Sequence, residues 1–85
     1  MKILYFASIR EKVGYADEDV SVPSAITSIG DLVAWLRSRG DNYERALADA
    51  RTVRVAVNQD HVKFDHPVHA DDEVAFFPPV TGGSR

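Results

Sequence analysis

Apolar residues recur along this chain at two spacings, and each predicts a different kind of element. Over residues 2–8 they alternate, with Ile3, Tyr5 and Ala7 on one face and Lys2, Leu4 and Phe6 on the other, the period of a strand. Lys2 belongs in water, so its face points outward and brings Phe6 to the surface. Val53-Arg54-Val55-Ala56-Val57 alternates well enough for another strand, and Val74-Ala75-Phe76-Phe77 for the last. Regular alternation puts Val74 and Phe76 in the core, with Ala75 and Phe77 outside. Shorter strands are expected at Asp19–Val22, stopped by Pro23, and around His61-Val62-Lys63.

Between these strands the period lengthens. Ile29, Leu32, Val33 and Leu36 form one helical stripe, with Trp35 at its edge. Ser28-Ile29-Gly30-Asp31 has the form of a capping box before it. Arg37 and Arg39 occupy the last turn and Gly40 the expected C′ position. Asp41 or Asn42 is expected to cap a shorter second helix with Tyr43, Ala46 and Leu47 on its apolar side. Ser8 to Tyr15 reads as a charged connection closed by Gly14, and Asn58 to Ala70 as turns, Asp65-His66-Pro67 among them. Two strands, a helix and further strands point to the α+β class.

Size and composition narrow the function. Eighty-five residues, 45% hydrophobic and 27% charged, make one ordinary globular domain. Such a chain buries about 60–65% of its unfolded surface, enough for one core but no deep substrate cleft. The longest apolar runs fall far short of the roughly 20 residues of a membrane helix, so no membrane partner is expected. The amino terminus lacks the build of a secretory signal, which makes the cytoplasm the expected compartment. Ten basic residues are scattered in a chain of net charge −3, so no nucleic acid is expected either.

There is no cysteine, hence no disulfide, no thiolate metal site and no side-chain thiol to carry sulfur. His61, His66 and His69 match no metal-ligand spacing and read as turn or surface residues, so no metal is expected. Neither a Ser/His/Asp arrangement nor a Gly-rich phosphate loop is present.

The chemistry lies in the ending, Phe76-Phe77-Pro78-Pro79-Val80-Thr81-Gly82-Gly83-Ser84-Arg85. Pro78 and Pro79 remove two successive backbone donors, so the sheet stops there. They also favour an extended exit. Gly82 and Gly83 are slender enough to thread a narrow channel, and Val80 to Gly83 extended span about 13 Å. An outward Phe77 near Phe6 would make an apolar patch of the kind that marks a partner site.

Val57-Asn58-Gln59, Phe64-Asp65-His66-Pro67 and above all Asp72-Glu73-Val74-Ala75-Phe76-Phe77-Pro78-Pro79-Val80-Thr81-Gly82-Gly83 resemble the small subunits of molybdopterin synthase, within the ubiquitin-like sulfur-carrier family. Leu4-Tyr5-Phe6-Ala7 with Arg10-Glu11 fits the same family. The resemblance implies a β-grasp fold, a mixed sheet on one main helix with a second short helix, over residues 1–79. Residues 80–85 would be a flexible glycine tail. An adenylating enzyme using ATP would convert the Gly83 carboxylate to an acyl-adenylate, and sulfur from a persulfide would then give a thiocarboxylate. Gly83 is therefore the reactive position and Thr81 and Gly82 the threading segment. Phe6, Phe77, Pro78, Pro79 and Val80 would meet the large subunit. In the resulting heterotetramer the carrier would supply sulfur to cyclic pyranopterin monophosphate, forming the dithiolene of molybdopterin. No cofactor is expected to bind the carrier itself, which would not be catalytic alone.

Ser84 and Arg85 depart from the family pattern, where the second glycine is last. A cloning remnant, an extension cleaved by a peptidase and a copy that does not carry sulfur all fit that overhang. Two other readings stand beside the main one. One is a carrier or modifier for another pathway, such as thiazole synthesis or lysine conjugation. The other is a β-grasp interaction module without sulfur chemistry.

Overall fold

The computed structural model describes residues 1–79. Strand β1 (Lys2–Tyr5) leads into helix α1 (Ala7–Val13) and strand β2 (Asp17–Asp19). Helices α2 (Ile29–Arg37) and α3 (Asp41–Leu47) follow, then a 3-10 turn at Ala50–Thr52. Strands β3 (Arg54–Val57), β4 (Asp60–Val62) and β5 (Glu73–Phe77) complete the order. The strands form one mixed sheet in the order β2-β1-β5-β3-β4. Only the β1–β5 pair is parallel.

The register explains the core. Tyr5 lies beside Phe76, and Phe76 beside Val55; Ile3 lies beside Val74, and Val74 beside Val57. All six are buried, and the rings of Tyr5 and Phe76 stack at 6.3 Å. Ile9, Val13, Ile29, Leu32, Leu36, Tyr43 and Leu47 close over this layer from the helices. Each large apolar side chain removed from water contributes about 1.5–3 kcal/mol. The α+β mixed sheet is as expected, with one more short helix than the sequence suggested.

The capping serine works as read: Ser28 Oγ accepts the Asp31 N–H at 3.1 Å. Asp31 reaches back one residue further than a capping box requires, accepting from the Thr27 N–H and hydroxyl. Those bonds hold its carboxyl below the ordinary range. The Ile29 and Gly30 N–H groups donate to the carbonyls of His66 and Phe64, so the 64–66 loop satisfies donors a helix start leaves open.

Four local expectations need correction. The first strand ends at Tyr5, and the supposed connection from Ser8 is helical. Ile9 and Val13, one turn apart, are buried, and Gly14 ends α1 at φ 96 with its N–H on Arg10 O, a conformation that favours glycine. The second strand is Asp17–Asp19, not Asp19–Val22, because Tyr5 draws Glu18 inward. Gly40 is not the C′ residue of α2 but the N-cap of α3, whose first residue is Asp41. The third strand starts at Arg54, with Val53 ending the 3-10 turn.

Candidate functional site: an apolar sheet face at the root of the tail

All three helices pack on one face of the sheet. The opposite face is built from the alternate residues of each strand. Across its middle, Leu4 lies beside Ala75, Ala75 beside Ala56, and Ala56 beside His61. Two residues further along β5, on the same face, stands Phe77, opposite Arg54. The Phe77 ring is half-buried, with the His61 imidazole 5.2 Å away.

Phe6 leaves β1 beside this row. Its N–H donates to Phe76 O at 3.0 Å, while the residue is 47% exposed. With Tyr15 it is one of two large hydrophobic residues so exposed among the described residues. Pro78 and Pro79 follow, both half-buried. Phe6, Phe77, Pro78 and Pro79 are thus brought to one end of the sheet, as the alternation of β1 and β5 predicts. Val80, Thr81, Gly82 and Gly83 lie outside the described residues.

Sequence reasoning missed the breadth of this face. Leu4 and Ala75 share the outward parity of Phe6 and Phe77, so that signal was available. Ala56 and His61 depend on the β3–β4 register, which follows from the turn at Asn58-Gln59 (φ 50 and 73). Two positive φ values in a two-residue loop give a hairpin that matches strand twist.

The histidines go separate ways. His61 joins the face, His66 spans Lys63 and Ile29 through its backbone, and the His69 N–H donates to Asp72. Among the described residues no three His, Cys, Asp or Glu side chains cluster as a metal site. None of the described helices is long and apolar enough to cross a membrane.

Opposite the face, a polar cluster fixes β2 to the helices. Glu18 accepts the hydroxyls of Tyr5 at 2.8 Å and Tyr43 at 2.7 Å, and pairs with Arg39 at 3.3 Å. The Arg39 guanidinium lies over both Trp35 and Tyr43. Burial, then the bond to Glu18, pushes the Tyr43 hydroxyl up to about 12; the same causes raise Tyr5 further. These groups hold the fold.

Across its middle the described part of this face is mainly apolar, with the His61 imidazole on its β4 side. It can seat a partner and hold the tail's root in place. Known proteins agree in architecture and sequence. Residues 3–83 match the ThiS family model. The molybdopterin synthase sulfur carrier subunit of Escherichia coli is 42% identical over 98% of this chain and 99% of its own. That of Haemophilus influenzae is 33% identical over 98% and 99%. Among solved structures, SAMP1 from Haloferax volcanii superposes with a TM-score of 0.73 at 26% identity, over 98% of each chain. Subunit 1 or 2 in a complex of the molybdopterin-converting factor from Helicobacter pylori matches with a TM-score of 0.65 at 18% identity, over 96% of each chain, a likeness of fold alone. With a β-grasp sheet, an apolar face at its tail end and a family match running to the second terminal glycine, this chain belongs to the ThiS family.

Proposed function

We propose that this chain is the sulfur carrier subunit of a molybdopterin synthase, with the sulfur held as a thiocarboxylate on Gly83. The observation that carries the reading is the 42% identity to the Escherichia coli carrier across 98% of the chain. The apolar face beside the tail root supports it, since a carrier needs a seat on each enzyme that handles its terminus.

The chemistry follows from the weakness of a carboxylate as an electrophile. On a chain that ends at Gly83, as after hydrolysis of the Gly83–Ser84 amide, an adenylating partner joins the Gly83 carboxylate oxygen to the α-phosphorus of ATP, and pyrophosphate leaves. The outer sulfur of a persulfide then attacks the acyl carbon and expels AMP. A thiol cleaves the sulfur–sulfur bond, leaving the thiocarboxylate and a disulfide. The product is an anionic sulfur nucleophile needing no neighbouring base, consistent with a chain without cysteine. The large synthase subunit supplies the acid, base and pterin contacts, and the carrier supplies the sulfur. The natural setting is a cytoplasmic heterotetramer.

The test uses the chain ended at Gly83. Incubated with an adenylating enzyme, ATP and a persulfide donor, it should gain the mass of one oxygen-to-sulfur exchange. Combined with the large subunit, the charged carrier should convert cyclic pyranopterin monophosphate to molybdopterin. No mass gain would favour an interaction module. Lysine conjugates without molybdopterin would favour the modifier reading, to which the likeness to SAMP1 lends its support.

A further inference from the structure

A second surface lies on the opposite side of the sheet from the docking face. Here a groove of about 490 Å³ opens at the β4 edge, walled by Val53, Val55, Val62 and Phe64. Val55 and Val62 are cross-strand neighbours, and Val62 and Phe64 are only half-buried. The rim is cationic, with Arg51 and Lys63. Of these, only Arg51 takes part in an ion pair among the described residues, with Asp49 at 3.1 Å.

Among the described residues the strand beside the groove is open as well. β4 is the last strand of the sheet. The two-residue loop closes on Val57 and Asp60, so those residues and the Val55–Val62 pair exchange the ladder bonds. His61, between them, turns its N–H and C=O away from β3, toward the open edge. An edge with free backbone groups, an apolar slot on one side and cations along the rim is complementary to one kind of partner. We propose that the β4 edge and its groove bind an extended segment of another protein, in which apolar residues are flanked by carboxylates.

The segment adds a strand to β4, bonding to the His61 backbone. Its helix-side residue enters the slot between Val62 and Phe64, and its acidic flanks meet Lys63 and Arg51. Main-chain bonds give affinity in such additions and alternate side chains give selectivity.

The probe is the peptide Gly-Asp-Glu-Val-Ile-Val-Asp-Glu, titrated to about 1 mM into ¹⁵N-labelled protein. Saturable amide shifts are expected at Val53, Val55, His61, Val62, Lys63 and Phe64. The double reversal Arg51→Glu/Lys63→Glu, at two exposed positions, should keep its thermal midpoint and weaken binding about tenfold. A peptide with Lys in place of Asp and Glu should bind more weakly by a similar factor. Shifts centred on Leu4, Ala75 and Phe77, or no saturable shift, would overturn the proposal. So would binding indifferent to the charge reversal. Concentration-dependent shifts of the same groove residues without peptide would assign the edge to a second copy of this chain instead.

Discussion

The N–H of Phe6 donates to the carbonyl of Phe76 at 3.0 Å, tying the start of α1 to the strand from which the tail departs. Ala7 follows at φ 52, an uncommon conformation for a residue with a Cβ, so the chain turns sharply and leaves Phe6 exposed. The main-chain bond survives any substitution except proline. Phe6→Asp should therefore shift folding stability by no more than about 0.5 kcal/mol. A charge on the docking face should nonetheless weaken association with the large synthase subunit at least tenfold, about 1.4 kcal/mol. Isothermal titration beside a thermal melt separates the two effects. Equal affinity for both proteins would remove Phe6 from the interface.

Glu18 carries an unusual share of the fold's polar bonding. Removing it leaves two buried tyrosine hydroxyls without their acceptor, so Glu18→Ala should cost about 2–4 kcal/mol in urea unfolding. The alkaline limb has a definite sign. Both phenols titrate higher folded than unfolded, Tyr43 at about 12, so their contribution is complete below the unfolded value near 10. It is lost as the pH rises from there through the folded values. Glu18→Gln keeps an acceptor while removing the charge, and its stability should fall less steeply above pH about 10. Identical slopes for the two proteins would show that Glu18 does not set this limb.

The parts legible in the sequence were those with a strong apolar period. Ile3 and Tyr5, Val74 and Phe76, and the stripe from Ile29 to Leu36 all fell in the core as patterned, and Ser28 capped as its spacing implied. Helix α1 was illegible because Ile9 and Val13 are its only buried residues and no side chain caps it at Phe6. Strand β2, Asp-Glu-Asp, has no strand propensity. Its register comes from tertiary contacts, the Tyr5 and Tyr43 hydroxyls on Glu18. Gly40 carried a C-terminal signal, yet α3 begins at the next residue. In the site, Phe6 and Phe77 were legible from parity, whereas His61 needed the hairpin register.

The Asn58-Gln59 turn offers a gain in stability. Gln59 holds φ 73, where a side chain is strained and glycine is not. Asn58, by contrast, uses its side chain on Asp72 and Glu73. Gln59→Gly should thus stabilise the hairpin by about 0.5–1 kcal/mol, read as a higher urea midpoint with an unchanged slope. Asn58→Gly should destabilise despite a φ of 50, because it deletes both side-chain bonds. A loss at Gln59 would mean that its side chain makes a contact worth more than the strain.

Asp72 links that turn to the strand bearing the tail. Its carboxylate accepts from the Asn58 amide at 3.0 Å and the His69 N–H at 2.8 Å, while the Asn58 side chain takes the Glu73 N–H at 3.1 Å. Partial burial alone would raise the Asp72 pKa, but the His69 and Asn58 bonds outweigh it and hold the carboxyl below its ordinary value. Such a group stabilises the fold fully above the unfolded value near 4, and that contribution disappears as pH falls through the lower folded value. Asp72→Asn turns an acceptor into an NH₂ facing one of these donors, so it should be less stable than the parent at neutral pH. The gap should narrow as pH drops from about 5 to about 2, because acid removes from the parent what the substitution has already taken. Urea unfolding across that range decides the matter: a constant gap would mean that the carboxylate's charge adds nothing to the bonds it accepts.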